Sequence, residues 1–204
     1  MSPRSKESSK QKKAQSRSAI LSAALELFAK KGFSATTTDE IAMKAKVSKG
    51  LIFSHFPTKQ NLLLSIIDDK IYQLLPKLNE TNDARPPKEQ FLSFIDSWME
   101  LLKKEPLVIQ LSLRLNLDDG WRKILQRKGK QYLELYLLRM RKLLVQLGSK
   151  EPDLDCCLLA VFFDGVEANY IAAPELFPIN AMKEHLLEIL LSHWGNHRGN
   201  HQEE

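Results

Sequence analysis

Several features are scarce in this chain of 204 residues, and each scarcity excludes a class of protein. Its only 2 cysteines, Cys156 and Cys157, are adjacent, which excludes a disulfide framework and favours a reducing compartment. Glycine and proline number only 8 and 9, as in a helical globular protein rather than a low-complexity one. No apolar run reaches the roughly 18 to 20 residues of a membrane span. We therefore expect a soluble, cytoplasmic protein with no membrane partner.

Positive charge is concentrated near the start of the chain. Residues 1–60 hold 12 Lys or Arg and 4 Asp or Glu, a net charge of +8, whereas residues 61–204 hold 18 and 21, a net charge of −3. We call residues 1–60 the head and the rest of the chain the body. The asymmetry is typical of a head that binds a polyanion and a body that has a different function. Because solvated lysine faces are common, the charge by itself leaves nucleic-acid binding open.

The spacing of apolar residues predicts an all-α protein of two domains. A flexible basic tail is expected at 1–17, a helix-turn-helix domain at 18–65, a helical bundle at 66–195 and a polar tail at 196–204. The basic tail is either merely solvated or lies along the minor groove of DNA. Within the first domain, Thr37 and Glu40 form a capping box, Ser48 caps a third helix and Lys59 opens a longer helix that continues to Leu75. Body helices are expected at 88–103, 106–116, 121–147, 152–172 and 175–194.

The third predicted helix has the chemistry of a helix that reads DNA. Gly50 removes the side chain that would hold the backbone away from a duplex, and Lys49 adds a positive charge beside it. The amides at the helix N-terminus, which Ser48 caps, can approach phosphate. Ser54 and His55 are expected to point outward from this helix.

The run ILSAALELFAKKGFSATTTDEIAMKAKVSKGLIFSHFPTKQNLL resembles the TetR family of transcriptional regulators. The resemblance covers residues 18–65, about a quarter of the chain. The family's spacing is met by Gly32-Phe33, Thr37 with Ile41-Ala42, Val47-Ser48-Lys49-Gly50, His55-Phe56 and Lys59.

The resemblance implies a DNA-binding regulator, most simply a homodimeric repressor that a small-molecule effector of unknown identity releases from a double-stranded DNA operator. It implies that Thr38 and Lys59 hold phosphates. The residues that it places against DNA bases or the neighbouring DNA backbone are Lys49, Gly50, Ser54 and His55, with Ser48 at the start of the same helix. Phe53 stands where the family usually has tyrosine, so van der Waals contact or core packing must replace a hydroxyl bond to phosphate.

Residues 66–204 contain no pattern that predicts catalysis. A glycine-rich phosphate loop, GxSxG, HExxH and CxxC are all missing, so we expect no enzyme and no cofactor. His193, His197 and His201 recur every four residues, but Gly195 and Gly199 disfavour the continuous helix that a metal site would need, so no metal is expected. A helical enzyme or lipid-binding protein with a membrane-facing head is the remaining alternative, and it would make the motif match accidental.

The body is rich in large apolar and aromatic residues, which by default fill a helical bundle. Because the resemblance implies an enclosed ligand site, polar groups among these residues become candidates for binding. The predicted ligand-binding set is Trp98, Gln110, Arg114, Trp121, Tyr136, Phe163 and Glu167. An inward Arg114 would suit an anionic ligand and an inward Glu167 a cationic one, and the sequence does not choose. The alternative is a structural or protein-interaction module without a ligand.

The resemblance implies that the last two predicted helices, 152–172 and 175–194, form the dimer interface. Gly165 would allow close approach of helices. Apolar area would come from Leu158, Val161, Leu186, Leu187, Leu190 and Leu191. These stripes could equally close each subunit's own bundle. A dimer would hold two recognition helices about 34 to 36 Å apart, which is the spacing of successive major grooves.

Overall fold

The computed structural model describes residues 3–72 and 84–195, and in these ranges the chain is helical, without strands. The helices of the head are α1 (Pro3–Lys31), α2 (Thr38–Ala45), α3 (Lys49–His55) and α4 (Lys59–Ile66), which continues as a π-helical segment (Ile67–Tyr72). The body contains α5 (Pro87–Lys104), α6 (Pro106–Leu117), α7 (Asp119–Leu147), α8 (Pro152–Ala172), a 3-10 turn (Pro174–Leu176) and α9 (Ile179–Gly195). The all-α prediction is confirmed.

Local capping explains where the short helices of the head begin. Thr37 Oγ1 accepts a hydrogen bond of 3.2 Å from the amide of Glu40, whose carboxylate accepts one of 2.9 Å from the amide of Thr37. Ser48 and Thr58 cap α3 and α4 in the same way, through their side-chain oxygens. Between α2 and α3 the chain turns through Lys46, which has a φ of 55°. The capping box and the Ser48 cap confirm two predictions made from the sequence.

Helix α1 begins at Pro3, well before the start near Ser18 that the sequence predicts, so a helix occupies residues 3–17 where we expected a flexible tail. Apolar periodicity is missing there, but Lys, Gln, Ala and Glu are good helix formers and the segment extends a helix that is already nucleated. Ser16 and Arg17 also contact the head. Residues 196–204 lie outside the described part of the chain.

Among the described residues, two hydrophobic clusters form the core. The first contains the buried faces of α1, α2, α3 and α4, and it also includes Val108, Leu111, Leu115 and Trp121 from α6 and the start of α7. The second lies among α5 to α9 and contains Phe91, Ile95, Trp98, Leu102, Leu144, Leu159, Phe163, Val166 and Trp194. Because the first cluster includes residues on both sides of the predicted boundary at residue 66, head and body share part of one core.

The segment that joins head and body carries two adjacent carboxylates that face opposite ways. Asp69 accepts a bond of 2.7 Å from Arg17 on α1. Asp68 accepts bonds of 2.8 and 3.0 Å from Nζ of Lys128 on α7. These pairs tie the π-helical segment to both domains. We predicted one helix from Lys59 to Leu75, but α4 changes to π-helical geometry at Ile67, and residues 73–83 lie outside the described ranges.

Candidate nucleic-acid interface

The exposed face of α3 is the candidate DNA-binding surface. Gly50 is exposed, and a Cβ built there would meet nothing within 4 Å. Nothing inside the protein therefore requires glycine at this position. Phe53 is 43% exposed and Ser54 is exposed, whereas Ile52 is buried and anchors the helix. The surface is thus anchored from behind and free to meet a partner at its first turn.

Lys49 and Thr38 lie beside this surface at the starts of α3 and α2. Nζ of Lys49 donates a hydrogen bond of 2.9 Å to Asp39. Both side chains of this pair are at least half exposed, so the pair contributes little to stability. Its loss would cost little if a phosphate replaced the carboxylate. Thr38 is half-buried at the first position of α2.

Lys59, which the resemblance assigns to phosphate, is engaged inside the head. Its Nζ donates to the carbonyl oxygens of Phe33 and Thr36, both at 2.8 Å, and lies 4.4 Å from the centre of the Phe33 ring. An ammonium group has three donors, so one remains for another acceptor. No local pattern around Lys59 predicts that this lysine also closes the turn after α1.

His55 faces α1 rather than open solvent. Its Nε2 is 2.8 Å from Oγ of Ser16, and the two groups share a hydrogen bond. Burial lowers the pKa of His55, and the positive charges of Lys13 and Arg17 lower it further. Both effects favour the neutral form of the imidazole. Ser16 and Arg17 are missing from the predicted site because that segment has no apolar spacing that would place it on the head.

Four of the seven residues predicted to bind a ligand come together in the second cluster. Nε1 of Trp98 donates a hydrogen bond of 2.8 Å to Oε1 of Glu167, and the Trp98 ring lies 4.5 Å from that of Phe163. Tyr136 joins them through Phe94, whose ring is 5.9 Å from Tyr136 and 5.7 Å from Phe163. Burial raises the pKa values of Glu167 and Tyr136, although the Trp98 bond opposes the shift at Glu167.

The other three predicted ligand residues lie on α6 and at the start of α7. They take no part in the hydrogen bond and ring contacts that join the first four. Arg114 is exposed and donates a bond of 3.2 Å to the carbonyl of Lys30 at the end of α1. Trp121 packs edge-on against Phe33 at 5.0 Å and belongs to the first cluster. Gln110 is half-buried on α6. Arg114 and Trp121 are therefore contacts between head and body, and their assignment to a ligand stays a prediction.

A cleft of about 670 Å³ lies between head and body. It is lined by α1, by Ile66 and Asp69, and by the corner between α5 and α6. None of the seven predicted ligand residues lines it. In the described part of the chain, no three His, Cys, Asp or Glu side chains are grouped as metal ligands, and His197 and His201 lie outside that part. The described helices include none that is long and apolar enough to cross a membrane.

The head is a helix-turn-helix domain, in which α2 and α3 are the two helices of the motif. An exposed glycine and lysine at the start of α3 are typical of DNA-binding proteins that read the major groove. Residues 20–66 match the family described as bacterial regulatory proteins, tetR family. Residues 20–66 are thus similar to the DNA-binding domain of TetR-family regulators, as the resemblance in the sequence predicted.

Known relatives support this assignment. The transcriptional regulator YerO of Bacillus subtilis, which is uncharacterized, is 34% identical over 132 residues, 63% of this chain and 46% of that protein. The chain thus spans about half the length of this relative. The fatty acid metabolism regulator protein of Bacillus subtilis is 26% identical over 85% of this chain and 92% of its own. The structure of FadR from Bacillus subtilis in complex with stearoyl-CoA has a TM-score of 0.65 at 20% identity, covering 85% of this chain and 97% of that one.

Gly50→Ala separates folding from DNA binding. We expect the free energy of unfolding to stay the same or rise by up to about 1 kcal/mol, because alanine is the better helix former and meets no neighbour. Affinity for a duplex that the wild-type protein selects from a random-sequence library should fall about tenfold or more, or about 1.4 kcal/mol, because the added methyl group holds the helix away. Urea unfolding and fluorescence anisotropy measure the two effects.

Gly120→Ala is the control in the body, since Gly120 is likewise the second residue of a helix, α7. A Cβ at Gly120 would lie 3.3 Å from Oδ1 of Asp118, which caps α7, so urea unfolding measures the resulting strain separately. This variant should leave duplex affinity unchanged. Equal duplex affinity of Gly50→Ala and the wild-type protein would show that α3 does not approach DNA at its first turn.

Glu167 gives a pH dependence of known sign. Because its pKa is raised above the ordinary value of 4.5, the folded state holds this proton more tightly than the unfolded state. Its contribution to the free energy of unfolding is therefore present at low pH and is lost as pH rises from 4.5 through the raised pKa. Glu167→Gln keeps an oxygen acceptor for Trp98 but cannot ionise, so the variant should gain stability relative to the wild-type protein as pH increases.

Urea unfolding between pH 4.5 and 8 measures this difference. The exposed Glu175→Gln variant is the control and should run parallel to the wild-type protein. If the Glu167→Gln curve is also parallel, the carboxyl is not held in a desolvated site.

Proposed function

We propose that this protein is a cytoplasmic, homodimeric transcriptional regulator that binds double-stranded operator DNA through α3 and is a repressor released by a small molecule. The observation that carries DNA binding is the exposed first turn of α3, where Gly50 has no neighbour in the protein. The TetR-family match over residues 20–66 includes this helix. The proposed DNA contacts remain Thr38, Ser48, Lys49, Gly50, Phe53, Ser54, His55 and Lys59.

An exposed apolar stripe on α8 supports the homodimer. Leu154, Leu158 and Val161 are 52%, 60% and 71% exposed and follow one another at spacings of four and three residues, with Gly165 next on the same face. A Cβ at Gly165 would meet nothing within 4 Å, so a second helix could approach closely there. By contrast, Leu187 on α9 is buried within its own chain. The dimer that we propose therefore relies chiefly on α8.

The contacts between head and body supply a physical route for release. Trp121 of α7 packs on Phe33, and Phe33 packs on Lys59 at the start of α4. Arg114 of α6 holds the last turn of α1. A ligand that shifts α6 or α7 would therefore move the elements that position α3. Coupling of this kind is typically 1 to 3 kcal/mol, or about 5- to 150-fold in affinity.

The chemistry of the second cluster favours an apolar ligand with a hydrogen-bond donor or a positive charge. Glu167 brings a carboxyl group among aromatic rings, where burial raises its pKa. Arg114, which would have suited an anion, is bonded to Lys30 instead. Aromatic faces also attract cations. Trp98, Tyr136, Phe163 and Glu167 are the proposed lining residues.

A second candidate function keeps DNA binding without a ligand. The direct ring contacts among Trp98, Phe163, Phe94 and Tyr136 favour it, because aromatic residues that fill the bundle leave its interior as a structural core. The body would then serve for dimerisation or for contact with another protein.

Three probes of different charge test release by a ligand. We expect tetraphenylphosphonium or triclosan to bind the intact protein and to weaken its affinity for the selected duplex by about 5- to 150-fold. Stearoyl-CoA, which is anionic and is present in a structure of similar fold, is the comparison. Calorimetry measures binding and anisotropy measures the effect on DNA. Glu167→Gln should weaken the cationic probe most. A probe that binds tightly and leaves duplex affinity unchanged would contradict the switch.

Val161→Asp tests the dimer. A carboxylate in the middle of the α8 stripe would be desolvated on association, so we expect monomers in sedimentation and a loss of affinity for the selected duplex. Leu117→Asp is the control, because Leu117 is 85% exposed at the end of α6 and lies off the stripe. A wild-type protein that sediments as a monomer both alone and on the duplex would refute the proposal.

A further inference from the structure

A row of basic side chains continues the buried face of α1 beyond the domain. On this face Ile20, Ala24 and Phe28 are fully buried in the first cluster. Towards the N-terminus, the same spacing of three and four residues leads to a set that we call the basic row, which consists of Lys10, Lys13 and Arg17. The face is therefore apolar where the head covers it and basic where the helix runs past the head.

Three contacts fix the basic row beside α3. Ser16 shares its hydrogen bond with His55, the last residue of α3. Arg17 binds Asp69 and stacks over the ring of Phe56 at 5.6 Å. With a rise of 1.5 Å per residue, Lys10 lies roughly 9 Å along the helix from Ser16. The row thus begins at the C-terminal end of α3 and extends outward from it.

The cations of the head differ in whether they already have a partner. Lys30, Lys31, Lys44 and Lys49 each bind a carboxylate, and Lys59 binds two carbonyl oxygens. Within residues 7–66, the lysines without an ion pair or hydrogen bond to their ammonium group are Lys10, Lys12, Lys13 and Lys46. Three of these four lysines, Lys10, Lys12 and Lys13, therefore lie on the extension of α1.

We propose that Lys10 and Lys13 bind backbone phosphates of the DNA duplex next to the stretch that α3 contacts, so that the extension of α1 is a second DNA-binding element. The proposal rests on the proposed function, because α3 must first place the head on a duplex. Both side chains are exposed and positively charged, so they can reach phosphates without breaking an internal pair. Lys12 points away, more than 100° around the helix from this face, and is not part of the element.

Such contacts have a measurable signature. Each phosphate that a lysine neutralises releases condensed counterions, so the logarithm of the binding constant falls more steeply with the logarithm of salt concentration, by about 0.9 per contact. The effect does not depend on base sequence. Loss of both lysines should therefore reduce the slope by about 1 to 2 on the selected duplex and on a random duplex of equal length.

The experiment compares intact Lys10→Ala/Lys13→Ala protein with two controls by anisotropy titrations from 50 to 300 mM NaCl. Lys12→Ala lies on the same helix but on another face, and Lys142→Ala/Lys150→Ala removes the same charge from exposed positions of the body. Alanine favours helix at residues 10 and 13, so circular dichroism should show the fold retained. We expect both controls to keep the wild-type slope and the Lys10→Ala/Lys13→Ala variant to lose part of it.

The outcomes separate this proposal from the proposed function. Suppose that the wild-type protein shows salt-dependent duplex binding and that the Lys10→Ala/Lys13→Ala variant has the same salt slope as the Lys142→Ala/Lys150→Ala control. The second DNA-binding element is then refuted, and DNA binding by α3 stands. If the wild-type protein shows no salt-dependent duplex binding, both are refuted. Vesicles that contain anionic phospholipid test whether Lys10 and Lys13 bind a lipid surface instead of DNA. Vesicle binding that requires Lys10 and Lys13, with duplex binding unaffected by their loss, would assign the row to a lipid surface and overturn the proposal.

Discussion

The burial of one face of α1 is the constraint on which the rest of the structure depends. Ile20, Ala24 and Phe28 close the core of the head, and the same hydrophobic cluster takes in residues of α6 and the start of α7. Head and body are therefore not two independent cores joined by a linker. Any movement of α6 or α7 changes the packing of the helix against which α2, α3 and α4 are assembled. This shared core is what makes communication between a ligand in the body and DNA at the head physically reasonable.

Electrostatics on the head follows from the same arrangement. Several of its lysines already have partners: Lys49 binds Asp39, Lys30 and Lys44 share the carboxylate of Glu26, and Lys59 donates to two carbonyl oxygens. A phosphate that replaces one of these partners gains only the difference between the two interactions. A lysine without a partner gains the whole attraction, which is why the position of uncompensated charge says more about DNA contact than the total charge does.

Prediction from sequence succeeded where the controlling interaction is local. The capping box of Thr37 with Glu40, the Ser48 cap, and the prolines that open α6 and α8 depend on residues within one turn of each other. It failed where contact is made across the chain. Ser16 is 39 residues from His55, and Arg114 is 84 residues from the carbonyl that it binds. Residues 1–17 have no apolar periodicity, which is why the sequence predicted a tail there. Residues 3–17 are helical because they continue the part of α1 that packs in the head.

The sequence by itself determined the helical class, the TetR-type motif of the head and the caps that begin α2 and α3, because apolar spacing, caps and motif residues act over a few positions. The tertiary structure decided what each charged or polar side chain faces. It placed Glu167 against Trp98 inside the body, turned Arg114 and Trp121 towards the head, and engaged Lys59 in a turn. The physical reason is that helical periodicity specifies which face of a helix is buried, whereas the partner on that face depends on how separate helices pack.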